Sequence, residues 1–457
     1  MNQSGTGSRT SVDLINGPIM PSLLTFMFPV FISNVFQQLY NAADTAIVGN
    51  FLGETSLAAI GACASIFELL TVFANNMGNG FAMVTARAFG AGNERNLRRS
   101  VAGSILIGAA AVAVLTAASV LGLRPLLQLI NTPDAILDES YAYIRIVGEW
   151  LAVTFLYNLC AGLLRAIGNS VMPLVFLIFS SVLNVVLDIF MITSLHMGVA
   201  GAAYATVIAQ AVSAALCVLY IFRRARILIP RAEDFRHVGR FMLADLAGQG
   251  FSMAFMGSIV SIGSIILQFG INGLGEAVIA GHVAARKIFS IGNLLFMSMA
   301  SAMATFVSQN RGADKRDRIL TAMRKARWFD LFSMLIVAVL FYFLAAPLMR
   351  LISGSDNPVI LGNGKAYLWF TAPFYFVLGV LLQTRFALQG LGAKLVPLIS
   401  SVIELVGKIL FTWLLVPRFG YPAVIACEPV IWLFMTTQLL YAFYSEPYIR
   451  GKGREQA

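Results

Sequence analysis

Charge is scarce in this chain. Of its 457 residues only 12% are Asp, Glu, Lys or Arg, against about a quarter in an ordinary soluble domain, while 58% are hydrophobic. So few charges cannot clothe a surface in water, and the natural solvent for such a chain is lipid. One bilayer crossing takes ~20 apolar residues, so the length accommodates about twelve crossings with short loops. Reactive motifs are missing too. The chain contains no HExxH, no GxSxG and no phosphate-cradling GxxxxGKS, so nothing supports catalysis or transport driven by its own ATP hydrolysis. It is expected not to be an enzyme and to need no cofactor. Cysteine is rare: Cys63, Cys160, Cys217 and Cys427 all sit in apolar runs and share no metal or redox spacing, so they read as small packing residues. The polar stretch Met1 to Asp13 lacks the apolar core of a signal peptide.

The charge that is present is unevenly placed. A formal net charge of +10 could suggest a nucleic-acid partner. The cations, however, gather in a few gaps: Arg95, Arg98 and Arg99; Arg223 to Arg240; Arg311 to Arg327; and Arg450, Lys452 and Arg454. The alternate gaps are poor in cations, as from Asn131 to Glu139, which carries Asp134, Asp138 and Glu139. This is the positive-inside pattern, and it places both termini in the cytoplasm.

Apolar runs predict helices near 19–46, 56–86, 100–123, 140–164, 171–194, 198–222, 243–271, 277–308, 329–350, 365–390, 395–417 and 421–445. Pro29 falls inside the first, where a proline removes one backbone bond and bends the helix. The basic stretch from 223 to 240 divides the chain into lobes 1–222 and 241–457. The halves resemble each other. Leu52 to Phe67 aligns with Leu274 to Phe289 at an offset of 222, with seven of sixteen positions identical, and Ser180 to Phe190 aligns with Ser400 to Leu410 at an offset of 220. The fold class is therefore all-α integral membrane: about twelve transmembrane helices, as two parallel six-helix repeats around a central cavity. An even number of crossings per repeat gives both copies one orientation, as in transporters that rock two lobes about a central site.

The copies differ in their acids. Gln37, Tyr40, Asn41 and Asp44 form one polar stripe at i, i+3, i+4 and i+7, and at membrane depth such a stripe must face protein or water. At the 222 offset Asp44 becomes Ile266. Asn184 and Asp188, one turn apart, become Glu404 and Lys408, a pair that can neutralise itself along the helix. Asp44 and Asp188 are left without a local cation. Such acids must bind a proton, bind a cation or face water. A proton shared between them is one reading. A sodium ion held by Asp188, Asn184 and Thr206 is another, and a cap at a helix end is the plainer third. Arg145 with Glu149 reads as an internal pair and His282 as a packed ring. Glu68 has no obvious partner. Arg286, Lys287, Glu404 and Lys408 form a possible second-lobe charge cluster, with Glu428 as a further partner.

The ordered series YNAADTAIVGNFLGETSLAAIG, ARAFGAGN, LLRAIGNSVMP, LNVVLD, MGVAGAAYAT, VIAGHVAARKIF and SVIELVGKIL resembles the multidrug and toxic compound extrusion (MATE) transporters over essentially the whole chain. The likeness is to a DinF-like or related bacterial branch. It implies a secondary antiporter of the bacterial cytoplasmic membrane that exports organic, often cationic and amphipathic compounds in exchange for H+ or Na+. By that resemblance Asp44, Asp188, Asn184 and Thr206 would couple transport to the ion, and Gln37, Tyr40, Tyr143 and Asn158 would line the substrate cavity. Second-lobe coupling acids, known in other branches, have no counterpart in the seventh helix, and the tenth offers Thr384 and Arg385 instead. The expected partners are small organic substrates and the bilayer, with no nucleic acid, and the expected working unit is a monomer. A flippase for a lipid-linked precursor is the alternative, kept open by cations inside the helices.

Overall fold

The structure is a computed structural model that describes residues 11–129 and 131–451. Lys452 and Arg454 of the last basic cluster, and the first ten residues of the polar N-terminal stretch, lie outside the described residues. The described residues are 89% helical, with no strand among them.

Among the described residues, eleven helices are long and apolar enough to cross a bilayer. Asp134–Glu149 and Leu151–Ala166 together form a twelfth span, bent by 47°. The twelve expected segments are all there, but several run longer than apolarity alone suggests. Glu54–Gly90 and Glu276–Gly312 each have 37 residues, and Arg316–Ser353 has 38. At ~1.5 Å per residue these are about 55 Å long, well beyond a ~30 Å hydrocarbon layer. Their ends therefore stand clear of the lipid tails, where Arg87, Arg311 and Arg316 cost little. Apolarity marks only the part of a helix that sits in lipid.

The duplication extends to backbone detail. Gly53, at φ +86°, and Gly275, at φ +98°, precede the paired 37-residue helices at the 222 offset. Both occupy a conformation open to glycine and costly for other residues. A five-residue π-helical turn follows each of the helices Val171–Ile189 and Leu395–Leu410: Phe190–Ser194 in the first half and Phe411–Leu415 in the second.

The chain packs as two compact units. Unit 1 comprises residues 11–13 and Phe28–Ala254, and unit 2 comprises Leu14–Met27 and residues 255–451. Besides the division after Asp13, the chain divides inside the helix Ile19–Leu52, between Met27 and Phe28 and so one residue short of Pro29, and inside Arg240–Asn272, after Ala254. Whereas the sequence draws lobes at 1–222 and 241–457, side-chain chemistry assigns the starts of these helices crosswise. Within unit 2, Lys315 Nζ donates to Asn16 Oδ1 at 2.6 Å, and Arg318 Nη2 donates to the Gly17 carbonyl at 2.7 Å. Within unit 1, Arg87 pairs with Asp245 at 2.8 Å, and Gly80 lets the backbone at Gln249 and Gly250 come so near that a Cβ would meet them at 2.6–2.7 Å. The stretch expected as a linker belongs to unit 1: Ala232–Arg236 is helical, and the Asp234 carboxylate accepts from Arg231 N at 2.8 Å and lies 3.5 Å from Arg98.

Inside unit 1 the core is aliphatic and aromatic, with Met77, Phe81, Leu151, Leu164 and Leu246 buried together. Unit 2 is built around Tyr375, whose ring packs on Phe289 and Phe296 and whose hydroxyl donates to the Phe289 carbonyl at 2.7 Å. Phe28, Leu121, Phe269 and Phe343 are exposed, as lipid-facing side chains are. All four cysteines are buried and unbonded to one another.

Candidate functional site

The helix Ile19–Leu52 carries Tyr40 and Asp44 one turn apart, and Val171–Ile189 carries Asn184 and Asp188 one turn apart. Thr206 comes from Gly198–Arg224, which packs along the latter. Three helices of unit 1 thus meet at one hydroxyl. Tyr40 Oη donates to Thr206 Oγ1 at 3.3 Å and Asn184 Nδ2 donates to it at 3.4 Å. Asn184 and Asp188 have no exposed surface, and Thr206 and Tyr143 are also buried. The Asp44 and Asp188 carboxyls are close enough to interact directly, and Tyr143 lies within electrostatic reach of both.

The oxygens are what make this a site. Both carboxyl oxygens of Asp188, Oδ1 of Asp44 and Oδ1 of Asn184 are buried with no hydrogen-bond donor. No ion pair joins either acid to an arginine or lysine among the described residues. Four lone acceptors within one small volume have the chemistry of a place for a proton or a hard monovalent cation, because an unpaired carboxylate in a low-dielectric interior is very costly. The Asn184 amide oxygen and the Thr206 hydroxyl are oxygen ligands of the kind a hard cation takes. No cluster of three or more His, Cys, Asp or Glu occurs among the described residues, so a transition-metal centre has no donor set.

Of the other expected cavity residues, Tyr40 and Tyr143 join this group. Gln37 is exposed and Asn158 half-buried, with the Asn158 amide turned back to the Thr154 carbonyl of its own helix at 2.8 Å. Arg145 and Glu149 pair at 2.5 Å as expected. Glu68 is exposed. His282 is packed edge-on to Tyr367 and Tyr421, with the Tyr421 hydroxyl 3.3 Å from Nδ1.

In unit 2 the Glu404 carboxylate accepts from Lys408 at 2.9 Å, and Glu428 meets Arg286 at 2.5 Å and Lys408 at 3.4 Å. Lys287, placed in this cluster from sequence, is instead exposed. One buried acid was not foreseen. Asp330, on Arg316–Ser353, has no exposed surface and accepts from Gln383 Nε2 at 2.7 Å. In the sequence it follows the RKARWF run at the very start of the helix expected at 329–350, where a charge is unremarkable. Its proximity to Gln383 carried no sequence signal.

A duplicated helical frame, at home in lipid, with an unneutralised acid pair inside one half and no catalytic motif, defines a multi-pass membrane transporter. The MatE family model matches residues 29–190 and 252–414, one segment in each repeat. The chain belongs to that family, the multidrug and toxic compound extrusion transporters. It is 25% identical to the probable multidrug resistance protein YpnP of Bacillus subtilis (strain 168) over 396 residues, covering 86% of this chain and 87% of that one. It is 33% identical to DNA damage-inducible protein F of Escherichia coli (strain K12) over 189 residues, 40% of each chain. An outward-facing structure of a multidrug resistance MATE family transporter of the MOP superfamily superposes with a TM-score of 0.89 at 22% identity, covering 98% of this chain and all of that one. These relatives are not enzymes, and they do not favour the flippase reading.

Proposed function

We propose that this protein is a secondary antiporter that exports organic, often cationic and amphipathic compounds in exchange for H+ or Na+, coupled at Asp44 and Asp188. The observation that carries this reading is that both Asp188 oxygens are buried and without a donor, beside the Asp44 carboxyl, whose Oδ1 is likewise buried and without one. With the site empty, two adjacent carboxylates repel and are poorly solvated. A proton between them, or a sodium ion on Asp188, Asn184 and Thr206, removes that cost. Loading therefore favours whichever conformation brings these oxygens together, and the ion acts by its differential affinity for two states. The substrate competes for the same conformational equilibrium, and Tyr40 and Tyr143 supply aromatic surface beside the acids. The protein acts as a monomer in a bacterial cytoplasmic membrane with both termini inside, and needs no cofactor beyond the coupling ion.

The test is dye efflux from proteoliposomes under an imposed pH gradient or an imposed sodium gradient. One of the two gradients should drive efflux by the wild type. Asp188→Asn and Asp44→Asn should each lose at least about ten-fold in gradient-driven rate, the equivalent of ~1.4 kcal/mol. Variants that export and couple like the wild type would remove the basis of this proposal.

A further inference from the structure

Unit 2 holds a linked charge cluster that does not balance. Arg286 on Glu276–Gly312 meets Glu428 Oε2 at 2.5 Å. Lys408 lies 3.4 Å from Glu428 Oε1 and 2.9 Å from Glu404 Oε1. Arg385 Nη2 lies 3.9 Å from Glu404 Oε2. All four carboxylate oxygens are thus committed to three cations, leaving one positive charge over. Arg385, Lys408, Glu404 and Glu428 are each at least nine-tenths buried. Arg385 gives one hydrogen bond, from Nε to Ser400 Oγ at 3.0 Å, and its Nη2 gives none. Only Arg286 is open, with a third of its side chain exposed.

A net charge inside a membrane protein is retained at a cost, and a counter-ion relieves it. From these observations we infer that this cluster is a binding site for one anionic group, a carboxylate or phosphate, of the transported compound. This rests on the export reading and narrows its substrate class to compounds bearing an acid, zwitterions included. The anion meets the accessible guanidinium of Arg286. The buried cations set its affinity by relay. Lys408 is shared between Glu404, at 2.9 Å, and Glu428, at 3.4 Å, so the two carboxylates are divided among three cations and Arg286, which also donates to the Tyr367 hydroxyl at 3.2 Å, has no carboxylate to itself. A single reachable guanidinium over an otherwise closed cluster suits one small anionic group at the end of an organic molecule. It does not suit a run of headgroups.

The relay makes the remote residue diagnostic. Arg385→Gln removes the surplus charge while Lys408 still covers Glu404, and Arg385→Lys keeps the surplus. The probes are rhodamine B and its ethyl ester, which differ in a free carboxylate. Binding is read by fluorescence polarisation on the full chain in phosphatidylcholine nanodiscs. The wild type should bind the free acid about ten-fold more tightly than the ester. Arg385→Gln should lose that preference with ester binding unchanged, and Arg385→Lys should retain it. Should Arg385→Gln fail to fold, the double variant Arg286→Gln with Glu428→Gln removes the reachable donor at constant net charge, and it should also lose the preference. Equal binding of acid and ester by the wild type would overturn the assignment. So would a preference undiminished in a monodisperse Arg385→Gln or in the double variant. If phosphatidylglycerol in the discs abolishes the preference, the anion is a lipid headgroup and the substrate assignment is wrong. Binding is measured without a gradient, so it fails or succeeds independently of the Asp188 coupling test.

Discussion

At the level of single residues, the molecule keeps two kinds of buried charge, and they answer to different physics. Asp188 has no donor on either oxygen and no cation beside it among the described residues, and on the proposed reading an arriving proton or sodium ion relieves its cost. Glu428 sits between Arg286 and Lys408, so its cost is relieved by the protein itself. This difference predicts opposite mutational behaviour. Asp188→Asn should leave stability intact or raised while transport falls. Glu428→Gln strands Arg286 beside Lys408 and should destabilise by ~3–5 kcal/mol, as breaking a buried pair from one side does. Thermal unfolding in detergent followed by size-exclusion chromatography would show the contrast. Asp330 belongs with the first kind: its Oδ2 has no donor, and Gln383 supplies a single bond to Oδ1.

Among the elements, two features were legible in sequence and two were not. The twelve apolar runs and the internal repeat were readable because lipid imposes a uniform composition on every spanning segment, and because duplication leaves identities such as LGE and IF at fixed offset. The bent fourth span and the paired π-helical turns were not, because composition does not report backbone hydrogen bonding. Such π-turns often mark functional positions, and here one begins two residues after Asp188 and the other three residues after Lys408. Close helix contact has its own signature at Gly80, where a Cβ would lie 2.6 Å from the Gln249 carbonyl oxygen. Backbone cannot yield there as a side-chain tip would. Gly80→Val should cost ~1–3 kcal/mol or more by overpacking, seen as a lowered melting temperature. Gly122→Ala, at a position with nothing within 4 Å, should be nearly silent and serves as the control.

For the whole molecule, the charge asymmetry predicts topology. Cysteines placed at Arg95 and at Asp138 should be labelled from opposite sides of the membrane by an impermeant maleimide, with Arg95→Cys reacting only from the cytoplasm. The four native cysteines are buried and should contribute little background. Labelling of Arg95→Cys only from outside and of Asp138→Cys only from the cytoplasm would invert the inferred orientation, and labelling of both from one side would contradict the single crossing, Glu94–Leu129, between them.

The sequence alone determined the solvent, the number of crossings, the duplication and the surplus of acid in the first half, because these depend on composition and on identity at fixed spacing. Tertiary structure decided which of those acids meet, that Thr206 joins Tyr40 and Asn184, that Asp330 is buried, and that the starts of two helices belong to a different unit from the rest of those helices. Those facts depend on side chains from distant segments reaching one point, as Tyr40 and Thr206 do across 166 residues, and no local pattern records such an encounter.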